Sequence, residues 1–107
     1  MSDTVVEVAK TADLAPGKGM VCEANGRPVA LFRTEEGYFA LDNTCCHRGG
    51  PLGEGFLDGS IVTCPWHGWR FDVRTGVSPD NEAARVATHA VTVEGDSVRV
   101  RVGDDAG

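Results

Sequence analysis

The sequence has 107 residues, of which 41% are hydrophobic and 24% are charged, and its formal net charge is −6. This length and composition predict one globular domain over residues 1–107, with a modest apolar core. The negative charge disfavours binding to nucleic acid or to an anionic membrane surface. The first residues lack the pattern of a signal peptide, and no apolar stretch approaches about 18 residues, so we expect a cytoplasmic protein with reduced thiols.

Short segments rich in β-branched and aromatic residues follow one another along the chain, separated by glycine, proline and asparagine. The Asn25-Gly26 pair is a strong signal for a hairpin turn, and a second hairpin is predicted around residues 94–97. No segment of ten residues has a convincing 3.6-residue apolar period, so the sequence predicts an all-β sandwich or barrel. The predicted strands are 4–8, 20–24, 28–34, 38–43, 60–64, 69–73 and the two arms of a hairpin within 85–102.

Two glycine-rich loops each combine a cysteine with a histidine. The first contains Cys45-x-His47, and the second, after sixteen intervening residues, contains Cys64-x-x-His67. Thiolate and imidazole ligands favour zinc, copper or an iron–sulfur centre over calcium and magnesium, which prefer oxygen. A zinc finger usually has two cysteines followed by two histidines. The order found here suits two bridged metal ions, one bound by both cysteines and the other by both histidines.

The two loop sequences, CCHRGGPLGEG at 45–55 and CPWHGWRFDVRTG at 64–76, strongly resemble the cluster-binding boxes of Rieske proteins. The resemblance implies a small antiparallel β-sandwich or barrel with cluster-binding loops at about 45–55 and 64–69. It also implies one Rieske-type [2Fe-2S] cluster per chain. The residues that would bind this cofactor and its metal ions are Cys45, His47, Cys64 and His67.

The resemblance also indicates which kind of Rieske protein this chain is similar to. Respiratory and photosynthetic members have an additional disulfide, whose cysteines would fall at Gly50 and Trp66 of this chain. Those members also have a serine and a tyrosine whose hydroxyls point at the cluster. The corresponding positions of this chain are Trp69 and Phe71, which have no hydroxyl. Hydrogen bonds to the sulfur atoms raise the reduction potential, so their absence implies a low potential, around −150 mV. The chain therefore looks like a soluble, low-potential ferredoxin.

The remaining residues limit what other chemistry the chain could carry out. A mononuclear iron oxygenase site needs two histidines and a carboxylate, and only His89 remains once His47 and His67 are assigned. The sequence also has no G-x-G-x-x-G motif for a nicotinamide or flavin domain. We therefore expect a monomeric electron-transport protein that has no catalytic activity of its own.

The resemblance implies two protein partners. A ferredoxin reductase would supply single electrons, and the terminal oxygenase of an aromatic-ring-hydroxylating dioxygenase system, used in aromatic hydrocarbon catabolism, would receive them. The segment 76–100 also looks like the corresponding part of those ferredoxins. The alternative function is the small Rieske-type subunit of an assimilatory nitrite reductase. A zinc-stabilised interaction module is a third class, which a colourless preparation with stoichiometric zinc would identify.

Five further residues near the loops or in strands are expected to have other roles. Cys46 lies between two ligands and is expected to be a spectator, whereas Cys22 is expected to be a buried thiol that packs like a small apolar residue. His89 is expected to be structural. Trp66 and Trp69 flank the second histidine, where either could shield the cluster, and Trp66 could instead contact a partner.

Overall fold

The computed structural model describes residues 3–24, 26–43, 51–66 and 68–103. The regular structure of these ranges consists of nine short strands and two three-residue 3-10 turns, at Thr11–Asp13 and Leu52–Glu54. No helix in the described ranges has the length and apolar character needed to cross a membrane. The strands are β1 Asp3–Lys10, β2 Lys18–Ala24, β3 Arg27–Thr34, β4 Gly37–Asp42, β5 Phe56–Asp58, β6 Ile61–Thr63, β7 Arg70–Asp72, β8 Thr88–Glu94 and β9 Ser97–Gly103.

Six of these strands form one antiparallel sheet in the order β1-β9-β8-β4-β3-β2. Its two edge strands, β1 and β2, lie against each other, so the sheet curls into a nearly closed barrel with little exposed edge. The strands β5, β6 and β7 form a second, smaller antiparallel sheet. The predicted all-β fold with barrel or sandwich character is confirmed.

Strand β3 separates two apolar cores because its central residues are apolar on both faces. Successive side chains of a strand point to opposite faces. Val29 and Leu31 therefore pack inside the barrel, whereas Ala30 and Phe32 pack in a second core with residues of the small sheet. This second core fixes the small sheet, and the loops attached to it, on one side of the barrel.

Both predicted hairpins are present in the large sheet. Ala24 pairs with Arg27 across the first turn, where Gly26 has a φ of +82°; Asn25 lies outside the described residues. Glu94 pairs with Ser97 across the second turn. Two-residue hairpin loops favour positive φ values because their twist then matches the twist of the strands. The turn chemistry of the sequence therefore sets the register of these strand pairs.

The structure differs from the predicted strands in two places. Strand β5, which pairs with β6, is not predicted, because three residues are too few to show an alternating pattern and Phe56 is exposed. The predicted strand that begins at residue 85 begins only at Thr88 in the structure. Arg85 instead forms an isolated antiparallel bridge with Val77. A bridge of one residue has no sequence periodicity that could predict it.

Candidate metal centre

The second predicted loop is held at both ends by backbone hydrogen bonds. Cys64 directly follows β6, and its N–H donates to the carbonyl oxygen of Trp69 at 2.7 Å. The N–H of Gly68 donates to the carbonyl oxygen of Cys64 at 3.1 Å. Gly68 has a φ of +76°, which glycine adopts without a steric penalty. These hydrogen bonds hold the two ends of the loop, Cys64 and Trp69, next to each other. His67 lies outside the described residues.

Asn43, which directly follows β4, joins the two ends of the first predicted loop. Its carbonyl oxygen accepts a hydrogen bond from the N–H of Leu52 at 2.8 Å, and its Oδ1 accepts one from the N–H of Gly53 at 2.8 Å. Asn43 is not among the site residues predicted from the sequence; its available signal is a polar side chain between a strand and a predicted ligand. The cysteine and histidine positions of this loop that lie outside the described residues are Cys45, Cys46 and His47.

The end of the first loop lies directly against the start of the second. A Cβ atom on Gly55 would be 2.2 Å from the carbonyl oxygen of Thr63, the residue that precedes Cys64. A Cβ atom on Gly53 would be 2.7 Å from Cγ2 of Val21 on β2. Only glycine, which has no Cβ, permits both close approaches. The structure thus brings the described end of the first predicted loop against the start of the second, although the two are distant in the sequence.

The side chain of Cys64 lies in buried, apolar surroundings. It is buried and forms no disulfide. It belongs to the second core, together with Leu52, Val62 and Phe71, and Trp69 packs against the same core. An apolar shell limits the access of water to a metal centre and so influences its redox potential. The sulfur atom is thus already held in place by the fold.

Two exposed aromatic side chains flank this region. Trp66 is 58% exposed and Phe56 is 70% exposed. Phe56 lies opposite Thr63 in the small sheet, so both aromatic residues are close in the chain or in the sheet to Cys64. Of the two tryptophans in the second loop, Trp69 therefore helps to cover the core, whereas Trp66 is available for contact with another molecule.

Two ion pairs hold the chain around β7. The Nε of Arg70 donates to Oδ2 of Asp80 at 2.9 Å, and this hydrogen bond holds the pKa of Asp80 below its usual value. The Nη2 of Arg74 donates to Oδ2 of Asp72 at 2.9 Å, and the hydrogen bonding from Arg74 lowers the pKa of Asp72. Both carboxylates therefore stay ionised at neutral pH. The pair of Arg70 and Asp80 ties the segment that follows β7 back to β7.

The remaining cysteine and histidine among the described residues have structural surroundings. Cys22 is a free, buried thiol in the barrel core, and its burial raises its pKa, with a smaller contribution from the charge of Asp13. The Nε2 of His89 lies 2.7 Å from Oδ1 of Asp42, so a ring N–H can donate to the carboxylate and connect β8 with β4. Both environments agree with the expected structural roles.

The sequence of this chain matches the model of a known protein family over most of its length. The model described as the Rieske [2Fe-2S] domain matches residues 4–90, which include both cysteine–histidine loops. The chain belongs to the Rieske [2Fe-2S] domain family. The cofactor of this Rieske domain is accordingly a [2Fe-2S] cluster. Which side chains hold the cluster stays a prediction, because the described residues include only Cys64 of the four predicted ligands.

The described parts of the two loops fit this cofactor. Cys64 offers a buried sulfur donor without a disulfide partner. The hydrogen bonds of Asn43 and the contact between Gly55 and Thr63 place the ends of both loops side by side. A Rieske cluster needs this arrangement, because its ligands come from two separate loops and its iron ions differ in ligand type.

Ferredoxins of dioxygenase systems are similar to this Rieske domain over most of its length. The ferredoxin component of the p-cumate 2,3-dioxygenase system of Pseudomonas putida is 38% identical over 104 residues, which span 92% of this chain and 86% of that protein. The solved ferredoxin of carbazole 1,9a-dioxygenase from Nocardioides aromaticivorans IC177 is 32% identical. Its TM-score is 0.83, and the match covers 91% of this chain and 96% of that one.

Two further solved structures bear on function. One is a complex of reduced oxygenase and oxidised ferredoxin in carbazole 1,9a-dioxygenase; the matched chain is 31% identical with a TM-score of 0.81, over 90% of this chain and 91% of that one. The other is assigned as the small subunit of an NADPH nitrite reductase; it is 25% identical with a TM-score of 0.79, over 91% and 97% of the two chains. The fold is thus shared by these proteins, and the three ferredoxin matches described above are more similar in sequence to this chain than the nitrite reductase subunit is.

Proposed function

We propose that this Rieske domain, formed by residues 1–107, is a cytoplasmic, monomeric ferredoxin. It carries single electrons from a ferredoxin reductase to a terminal oxygenase of the aromatic-ring-hydroxylating type. The observation that carries this proposal is the nearly end-to-end similarity to ferredoxin components of aromatic dioxygenase systems. The solved complex of a similar ferredoxin with its oxygenase supports an oxygenase as the electron acceptor. A reductase is the electron donor that such a system requires.

The proposed ligands place one cysteine and one histidine on each loop. When bound, the [2Fe-2S] cluster takes up one electron and passes it on. The protein contributes a fixed position for the Cys64 sulfur, an apolar cover made by Phe71 and Trp69, and close contact between the two loops. With two histidines as ligands and His89 hydrogen-bonded to Asp42, no pair of free histidines remains for an oxygen-activating iron site. We therefore assign electron transfer, and no reaction on a substrate, to this chain.

Phe71 supports the low potential that we propose for this cluster. It is fully buried in the same core as Cys64, at a position where the resemblance places a tyrosine in high-potential members. Its ring has no hydroxyl that could donate a hydrogen bond to a cluster ligand.

Phe71→Tyr is expected to raise the reduction potential. A hydrogen bond that is about 1.4 kcal/mol stronger in the reduced state raises a one-electron potential by about 59 mV. Direct electrochemistry would measure the shift, with Phe71→Leu as a control that changes the packing without adding a donor. If the tyrosine hydroxyl is shown to contact the cluster ligand and the potential is unchanged, the tuning argument is wrong.

The exposed aromatic side chain of Trp66 is the proposed contact with the redox partners. It adjoins His67, one of the proposed ligands, so a partner that covers Trp66 would lie close to the cluster. Aromatic residues that become buried at an interface often contribute much of the binding energy. The alternative interpretation, in which Trp66 shields the cluster from water, agrees less well with its 58% exposure.

The function and the contact can be tested in one reconstituted assay. The reductase and terminal oxygenase from the same source organism are mixed with this chain, and NAD(P)H-dependent product formation is expected only when the chain is present. Trp66→Ala is expected to lower the second-order rate of oxygenase reduction about tenfold with unchanged optical and EPR spectra. Val93→Ala, at an exposed apolar position near the β8–β9 turn, is the matched control and is expected to keep the parent rate.

Two outcomes of this assay would change the assignment. If the chain accepts electrons from the reductase and never passes them to the oxygenase, the proposed acceptor is wrong. If the chain instead co-purifies with a large nitrite reductase subunit and restores its activity, the nitrite reductase function is correct. Equal rates for Trp66→Ala and the parent would show that the partner docks elsewhere.

A further inference from the structure

Asn43 makes three hydrogen bonds where β4 leads into the first loop. Its side-chain Oδ1 accepts from the N–H of Gly53, and its carbonyl oxygen accepts from the N–H of Leu52, both at 2.8 Å. Its own N–H donates to the carbonyl oxygen of Pro28 on β3 at 3.4 Å. One half-buried residue therefore joins the entry of the loop, the exit of the loop and the neighbouring strand.

The exit of the loop is fixed from its other side as well. Leu52 is fully buried in the second core. Gly53 packs so closely on β2 that a Cβ atom would be 2.8 Å from the carbonyl oxygen of Met20. The N–H of Gly53 consequently cannot move far in search of another acceptor. If the amide oxygen of Asn43 were removed, the N–H of the buried Gly53 would lose this hydrogen-bond partner.

We propose that Asn43 is a positioning residue for the cluster. Its side chain closes the base of the first loop and thereby holds the loop in the geometry that binds metal. This proposal rests on the proposed function, because Cys45 and His47 are the ligands that the loop would present. Seven residues, 44–50, separate Asn43 from Pro51 in the sequence. A loop whose ends are already joined loses less conformational entropy when its ligands bind a metal.

The experiment compares cluster stability in holoprotein variants. Loss of the visible absorbance is followed after addition of an iron chelator, and the EPR spectrum of the reduced form is recorded. Asn43→Ala is expected to lose its cluster about tenfold faster than the parent and to give a broadened EPR signal, because one hydrogen bond that restrains the loop is missing. Asn43→Asp keeps an acceptor oxygen at the same place and is expected to restore most of the parent's cluster lifetime.

Thr34→Ala is the matched control for a general loss of stability. The Oγ1 of Thr34 accepts a hydrogen bond from the N–H of Glu36 at 3.0 Å in the turn between β3 and β4, at the opposite end of β4 from the loop. This variant also removes one side-chain acceptor from a backbone N–H. It is expected to lower the unfolding temperature and to keep the parent's rate of cluster loss and EPR spectrum.

The possible results separate the proposal from its alternatives. Cluster loss that is equally fast in Thr34→Ala and Asn43→Ala would show a general stability effect and overturn the positioning role. A parent-like rate in Asn43→Ala would overturn it too, as would rapid cluster loss in Asn43→Asp. If Asn43→Ala does not accumulate holoprotein, retention of the cluster by Asn43→Asp supports the proposal. These measurements need a bound cluster and no partner, so failed electron transfer to an oxygenase would leave them interpretable.

Discussion

We expect His67→Ala to be isolated without the visible absorbance and the EPR signal of a Rieske cluster, both at background level. The substitution removes one of the two proposed nitrogen ligands of the cluster, and alanine offers no replacement. Cys64→Ser is expected to have a comparable effect, because it removes a sulfur donor that is buried next to Phe71 and Leu52. Iron and acid-labile sulfide analysis would measure the loss directly.

Cys46→Ser is the matched control for these ligand variants. Cys46 lies between two proposed ligands, Cys45 and His47, and is expected to be a spectator. The control should therefore keep the parent's iron content and spectra. Loss of the cluster in Cys46→Ser would overturn the ligand assignment. A colourless parent protein with stoichiometric zinc would instead support the third functional class, a zinc-stabilised interaction module.

Gly55→Ala is expected to lower the free energy of unfolding by about 3 kcal/mol, at the upper end of the usual cost of overpacking. The new Cβ would be 2.2 Å from the carbonyl oxygen of Thr63, a backbone atom that cannot rotate away. For a domain of this size, such a loss lowers the unfolding midpoint by roughly 12–24 °C. Because Thr63 precedes Cys64, we also expect weaker retention of the cluster. Thermal unfolding and the iron content of the purified protein would test both effects.

Gly59→Ala, in the turn between β5 and β6 of the small sheet, provides the control. Gly59 has a φ of +64° and no neighbouring atom within 4 Å of an added Cβ. The expected cost is only that of a left-handed alanine, about 1 kcal/mol, or roughly 4–8 °C in the midpoint. Cluster content should remain at the parent's level. If both variants lose stability and cluster equally, the contact between Gly55 and Thr63 has no special role in joining the loops.

The strands of the large sheet could be predicted because their sequence signals are local. Alternation of Val98 and Val100 with arginines marks β9, and glycines in the turns mark the two hairpins. β5 could not be predicted, since it exists through pairing with β6 and has no pattern of its own. The late start of β8 has the same cause, because the bridge between Arg85 and Val77 depends on a contact between distant residues.

The candidate site likewise has residues that could be predicted from the sequence and residues that could not. The cysteine and histidine residues could be chosen as candidate ligands from their spacing, because that spacing is specific to one class of cluster. Asn43 could not be recognised in advance, because an asparagine after a strand is common and its importance comes from Gly53, ten residues later. The difference between Trp66 and Trp69 was also unpredictable, since burial depends on which side chains of the small sheet pack beside each ring.

The types of donor atom, the order of the two loops and the β-rich character of this protein could be read from the chain alone, because each depends on neighbouring residues or on short repeats. The position of Gly55 against Thr63 and the separation of two cores by β3 emerge only from the folded structure. These are contacts between residues that are distant in the chain. They depend on how whole sheets pack, and no local pattern of residues specifies that packing.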